Sequence, residues 1–434
     1  MPPRFRLRTL LTALLALILL ASAAAPVAAA RQHDPRPPAF PTPTAAAGGE
    51  AVGDAAPTAA TPAASPAARG DEAFALGELR AIAVAGQPMA ISPDGRWLAG
   101  PGPDRDFCLW EVATLEPRCA SDRRPLLVQL ETITWSPDSS AVAFSLDAAR
   151  LLVDSDIYVM ATDGTLSNLT DDGDDDKVSL DRDAPDVPVD MYPAWSPDGS
   201  QLVFSRTSWS GETKHTSIYA IDRAGGTPEE RFVVSPQEPF VIYSPLHWLA
   251  DGSVIFSVLH ADPDNPQNGV WRLGVSGGVE RIIAGDSTAE VPAPFVNEVS
   301  PDGALATVSS LSRIAQLPGD GEPVSFIVDL ATGETVPVQA TEAWPLVSLT
   351  GPGAFLPGGQ AIVSVEVEGN APSLLLSGLD GSVLGRADLP ETAIGPASSR
   401  GLSIADDGTV FLSTLATTEA NERGGVLVTL DEGA

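Results

Sequence analysis

Basic side chains are scarce in this sequence. Lysine and arginine number 25 against 57 aspartates and glutamates, for a formal charge of −32. A chain so acidic repels nucleic acid and anionic lipid, which argues against both as partners. Histidine is scarcer still, at four residues. Only His215, His247 and His260 lie beyond the leading segment, and they show no Cys/His spacing that would build a zinc site. Nor do they form a motif in which a carboxylate orients a base beside a nucleophile. Cysteine is reduced to Cys108 and Cys119.

The N-terminal segment reads as a secretory signal over residues 1–30. Arg4, Arg6 and Arg8 precede an apolar run from Leu10 to Leu20, and Ala28-Ala29-Ala30 before Arg31 offers a small-residue cleavage site. An uncleaved anchor is the rival reading, because Leu10 to Ala30 approaches the length of a bilayer span. No cysteine stands near the end of the run, which argues against a lipid-anchored lipoprotein. Residues 31–75 are rich in Pro, Ala, Thr and Gly, with few large apolar groups. Such a segment cannot bury enough surface to offset its ordering entropy and reads as a disordered linker. The localisation expected is export, to a periplasm, cell surface or extracellular space.

From about residue 76 a turn recurs. It stands at Ser92-Pro93-Asp94-Gly95, Ser136-Pro137-Asp138-Ser139, Ser196-Pro197-Asp198-Gly199, Leu249-Ala250-Asp251-Gly252, Ser300-Pro301-Asp302-Gly303, Leu356-Pro357-Gly358-Gly359 and Ala405-Asp406-Asp407-Gly408. The spacings at the third position are 44, 60, 53, 51, 56 and 49, a period near fifty that marks a propeller or solenoid. Each unit reads as four strands. A short first strand ends in a bulky residue such as Trp135 or Trp195. The turn leads into an alternating run such as QLVFS, and two more strands follow. The seventh unit lacks its fourth strand, and ELRAIAV, Glu78 to Val84, is free to supply it. The fold class expected is all-β: a seven-bladed β-propeller closed by an N-terminal strand, with six blades as the alternative.

Trp195-Ser196-Pro197-Asp198-Gly199 followed by LVFS, with Asp156-Ile157-Tyr158-Val159-Met160 and Asp163-Gly164, resembles the WD40-like PD40 repeat of TolB-type propellers. The resemblance covers about 77–434. It implies export, a rigid propeller and often a role in binding other proteins. Some relatives pair such a propeller with a serine peptidase domain, for which the residues up to Ala434 leave no room.

Loop lengths single out one end of the ring. The first-to-second and third-to-fourth turns are uniformly short. The second-to-third and blade-to-blade connections are long and varied, as at Asp147–Asp156, Arg206–Thr216 and Asp171–Asp190. Diverse loops on a rigid scaffold are where binding is built. Trp209, His215, His260 and Asp262 are the binding-face candidates there. Asp171 to Asp190 carries nine aspartates, with Asp171, Asp172, Asp174, Asp175 and Asp176 as candidate Ca²⁺ ligands. The order of an EF-hand is missing, however, and a solvated acidic loop is the simpler reading. Gly274-Val275-Ser276-Gly277-Gly278 fits the serine-hydrolase pattern but falls at a third-to-fourth turn. A hairpin turning near Ala113-Thr114 would place Cys108 opposite Cys119, as a structural disulfide.

No catalytic residue and no cofactor other than Ca²⁺ is assigned. The function expected is non-catalytic binding of a protein or cell-envelope component through the long-loop face. The alternatives are a propeller hydrolase or lactonase using channel carboxylates, and a membrane-anchored sensory or structural ectodomain.

Overall fold

The computed structural model describes residues 74–432 apart from 123–125, 147–154, 174–187, 211–212, 236–239, 243, 261, 313–324, 338–352, 369–370, 381, 390–400 and 418–422. The signal segment, nearly all of the linker, and Asp174, Asp175 and Asp176 lie outside the described residues.

Seven antiparallel sheets follow one another along the chain, so the six-bladed alternative falls. Blade one runs Ala90–Ile91, Trp97–Pro101, Phe107–Glu111 and Pro117–Ala120. Blade two runs Thr134–Trp135, Ala141–Ser145, Ile157–Ala161 and Leu166–Asn168. Blade three runs Val189–Trp195, Gln201–Ser210, Thr213–Asp222 and Glu229–Ser235. In blade four the inner strand is split into Phe240–Ile242 and His247–Trp248, and both pieces pair with Val254–His260.

The repeated turn folds as it does because its polar atoms satisfy one another. In blade three the Ser196 hydroxyl donates to Asp198 Oδ1 at 2.6 Å and accepts from the Gln201 amide at 2.9 Å. Asp198 also accepts from the Ser200 amide at 3.0 Å. Gly199 takes φ +69°, a left-handed conformation that costs glycine little. Ser92 with Asp94, Ser136 with Asp138 and Ser300 with Asp302 repeat the 2.6 Å contact.

The turns also interlock around the ring. The Asp94 amide donates to Ser139 Oγ at 2.9 Å, and the Asp406 amide to the Pro93 carbonyl at 2.7 Å. The bulky residue before the turn is a joint as well. Trp195 Nε1 donates to the Thr134 carbonyl of the preceding blade at 3.1 Å.

Closure uses the N-terminal strand. Blade seven comprises Leu402–Ile404, Val410–Thr417 and Arg423–Glu432, and Phe74–Val84 completes it. Pairing extends from Phe74↔Glu432 to Val84↔Arg423. The strand thus begins four residues ahead of Glu78; a bulge between Leu76 and Leu79 lets the ladder continue past Gly77.

The core lies in the seams between blades. Phe107 of blade one stacks on Phe144 of blade two at 4.0 Å between ring centroids. Among the described residues, six seams hold nine to thirteen buried apolar side chains each. The seam between blades five and six holds three.

Two expected loops are built differently. Arg206 to Thr216 is mostly strand, because Gln201–Ser210 and Thr213–Asp222 pair along their whole length. Its threonines and its alternation carry the ladder outward. The acidic stretch ends in a strand rather than a loop, since Asp190 lies within Val189–Trp195.

Candidate functional site

Where Asp190 enters blade three, a string of polar side chains crosses three blades. It starts at Asp122, beyond the outer strand of blade one. Asp122 Oδ2 accepts from the Tyr158 hydroxyl at 2.8 Å. The Asn168 amide donates to that hydroxyl at 3.3 Å and to Asp156 Oδ2 at 2.8 Å. The Thr170 hydroxyl donates to Asp156 Oδ1 at 3.3 Å while accepting from the Ile157 amide at 3.0 Å.

Asp190 comes next, held by Arg206 in a bidentate pair at 2.7 and 2.6 Å. The guanidinium lies over the rings of Tyr219 and Phe204, 5.0 and 5.5 Å from their centroids. The Tyr219 hydroxyl then donates to Glu230 Oε2 at 2.9 Å. Backbone contacts fix the blade junction: the Asp190 amide donates to the Ser155 carbonyl, and the Ser155 hydroxyl returns to the Asp190 carbonyl at 2.9 Å.

Burial pushes the Asp190 carboxyl up to about 6, against the pull of Arg206, and the nearby charge of Asp156 adds to the rise. Burial also works against the charge of Arg206, yet its bond to Asp190 raises it above the ordinary arginine range. A carboxyl titrating near 6 is suited to general acid or base work. Asp190, however, has a side chain only 1% exposed, so its proton has no open path to a substrate. The arrangement stitches blade two to blade three.

Sequence reasoning missed Asp156, Thr170, Asp190 and Arg206. A usable signal lay in VDMYPAW, where Val189, Asp190 and Met191 already alternate toward the Trp195 turn.

The binding-face candidates fall on two neighbouring blades. Trp209 pairs with Lys214 and His215 with Ser208, one register step apart on the blade-three ribbon. His260 ends the second strand of blade four and is buried. Its Nδ1 accepts from the Asp262 amide at 3.4 Å, and its own amide donates to Asn268 Oδ1 at 2.6 Å. Asp262 is exposed and accepts from the Asp264 amide at 3.0 Å. His260 and Asp262 therefore meet in one loop.

Asp171 and Asp172 are exposed, and Asp172 acts electrostatically on Arg206. The one group of potential metal donors among the described residues is Asp106 with Cys108 and Cys119. It offers no cation site, because both sulfurs are joined in a disulfide between cross-strand partners 4.1 Å apart at Cα. Gly274 to Gly278 forms a tight turn, the Gly274 amide bonded to the Gly278 carbonyl at 2.8 Å, with no helix after it. It lacks the strand-turn-helix of a nucleophile elbow.

No protein-family model matches the sequence, and no curated protein matches it. Solved structures do. TolB from Acinetobacter baumannii is 18% identical with a TM-score of 0.41, over 72% of this chain and 63% of that one. The chain thus spans just under two thirds of that TolB. An oligogalacturonate lyase solved with manganese is 13% identical with a TM-score of 0.52, over 82% of this chain and 99% of that one. The lyase from Vibrio parahaemolyticus is 12% identical at 0.52, over 82% and 96%.

The fold is a seven-bladed β-propeller. At these identities the likeness speaks for fold alone. In this propeller the polar string of blades one to three joins the ends of the strands opposite the short turns.

Proposed function

We propose that this protein is an exported, non-catalytic propeller that binds a protein or a cell-envelope component through its long-loop face. One observation supports the reading above the others. The second and third strands of blade three run ten residues each, where those of blades one and two run five. The extra length carries the ribbon that bears Trp209 and His215 about 17 Å beyond the strands of blade two and about 10 Å beyond the second strand of blade four. Among the described residues the opposite end carries short turns, and those of blades one, two and seven lock onto one another.

Export rests on the segment before residue 31, and an uncleaved anchor would make the same ring an ectodomain. Among the described residues no helix is long and apolar enough to cross a membrane. A hydrolase or lactonase reading would draw on Asp156 and Asp190, and both are buried. Ca²⁺ would enter through Asp171 and Asp172 with their neighbours in the acidic run.

The test is a ribbon deletion. Residues 208–215 are replaced by Asn-Gly, and the variant is compared with the intact exported chain for retention of envelope proteins and glycans, with and without Ca²⁺. Saturable binding lost on deletion supports the proposal. Equal retention by both chains refutes the assigned surface. Turnover of a glycan or lactone by the intact chain, without retention, refutes the non-catalytic reading.

A further inference from the structure

The crosslink of blade one is open to attack from one side only. Cys108, in Phe107–Glu111, is fully buried, whereas Cys119, in Pro117–Ala120, is exposed. In thiol exchange a thiolate bonds to one sulfur and expels the other. A reductant therefore meets Cys119 Sγ first, and Cys108 is the sulfur that must leave. The bond matters to the blade, because Pro117–Ala120 is its outer strand and is paired only with the third strand. Three residues beyond Cys119, Asp122 takes the Tyr158 hydroxyl that opens the polar string.

A carboxylate stands beside that leaving sulfur. Asp106 Oδ2 lies 3.7 Å from Cys108 Sγ, and one Asp106 oxygen and both sulfurs lie within 4.8 Å of one another. The loop before the third strand fixes it there. The Gly102 amide donates to the Asp106 carbonyl at 2.9 Å, and Asp106 Oδ1 accepts from the Asp104 amide at 3.2 Å. Gly102 leaves the room, since a Cβ on it would meet both Asp106 Oδ1 and Cys108 Sγ. No described ion pair neutralises Asp106. Arg118 precedes Cys119 but sits on the opposite face of the strand. Its guanidinium lies 4.7 Å from the centre of the Trp97 ring and donates to the Thr162 carbonyl at 2.7 Å. Reactive cysteines sit beside cations or helix N-termini, and this sulfur has the reverse.

We propose that Asp106 is an electrostatic guard on the Cys108–Cys119 disulfide, slowing its exchange with thiols and with dithiol oxidoreductases. In the step it opposes, a thiolate bonds to Cys119 Sγ and the bond to Cys108 breaks. Cys108 leaves with the electron pair as a thiolate, in a buried site beside the carboxylate. A second thiol then releases Cys119 and the reductant departs as its own disulfide. Two electrons have passed to the protein, and both of its sulfurs take protons from water. Asp106 acts twice, repelling an anionic nucleophile on approach and disfavouring the negative sulfur that leaves. The guard goes beyond the binding reading and stands whether or not the long-loop face takes a partner.

The test follows reduction of the intact chain by an anionic thiol, mercaptoethanesulfonate, and by a cationic one, cysteamine. Asp106→Asn keeps an acceptor for the Asp104 amide and removes the charge. It is expected to speed reduction about tenfold with the anionic thiol and about threefold with cysteamine, at an unchanged thermal midpoint. Asp104→Asn, at an exposed neighbour, removes the same net charge and should change either rate by about twofold at most. Mass spectrometry of the first adduct should place the thiol on Cys119. Should Asp106→Asn lower the midpoint, Asp106→Ser replaces it. No acceleration, equal acceleration with both thiols, an equal effect from Asp104→Asn, or a first adduct on Cys108 would overturn the proposal.

Discussion

At the short-turn end Asp198 stands in water, and the hydroxyls of Ser196 and Ser200 draw its carboxyl down to about 2. Asp138 follows suit: partial burial opposes its charge, but Ser136, Ser140 and Arg223 hold it well below the ordinary range. At the other end Asp190 is walled off and pushed up to about 6, although it faces an arginine. The contrast shows that a partner's sign does not decide the state of an acid. Three hydrogen bonds to an exposed carboxylate outweigh one guanidinium beside a dehydrated one. It also explains the division of labour. The repeat spends its aspartates on turns that must look alike, and the variable end spends one on joining two particular blades.

Removing Arg206 should break the comparison most severely. Arg206→Met strands Asp190 and uncovers Tyr219, at an expected cost of about 3–5 kcal/mol at pH 7.5. Denaturant midpoints at pH 5 and 7.5 check it, and the cost should shrink at pH 5 as Asp190 takes up a proton.

Asp190→Asn sharpens the pH argument. The folded value of about 6 lies above the ordinary 3.8, so the contribution of Asp190 is fully present below pH 3.8 and lost as pH rises through about 6. The variant should flatten the stability profile across that window by on the order of 3 kcal/mol. Asp198 carries the opposite sign: its contribution is present above 3.8 and lost as pH falls through about 2. A profile unchanged by Asp190→Asn would contradict the assignment.

Two smaller changes probe the turn. Gly199→Ala imposes φ +69° on a side chain, at about 1–2 kcal/mol by thermal unfolding. Ser196→Ala removes the bond to Asp198 and the acceptor for Gln201, at about 1 kcal/mol. A larger loss from Ser196→Ala than from Arg206→Met would invert the ranking of the two ends.

The ring was legible in the sequence because a four-residue turn repeats at nearly even spacing, and because ELRAIAV was left over where a strand was missing. Both signals are local chemistry multiplied by repetition. The polar string was not legible, for the opposite reason. Asp156, Thr170, Asp190 and Arg206 occur once each, on two blades, and meet only after the sheets stack. A run of nine aspartates also conceals which of them is drawn inside, since composition treats Asp190 and Asp171 alike. The ribbon of blade three reads as a loop because the stretch between its second and third strands is long, while its threonines mark a strand.

The last sheet has a consequence for how the protein is made. Phe74–Val84 leaves the ribosome before any blade, and its partner Arg423–Glu432 leaves after all the others. During synthesis that strand has no mate, and the first blade cannot dock against a finished seventh. Joining segments so distant in sequence is slow, and until it happens the nascent protein carries a bare edge able to pair with a stranger. Any chain cut short of residue 423 would remain in that state.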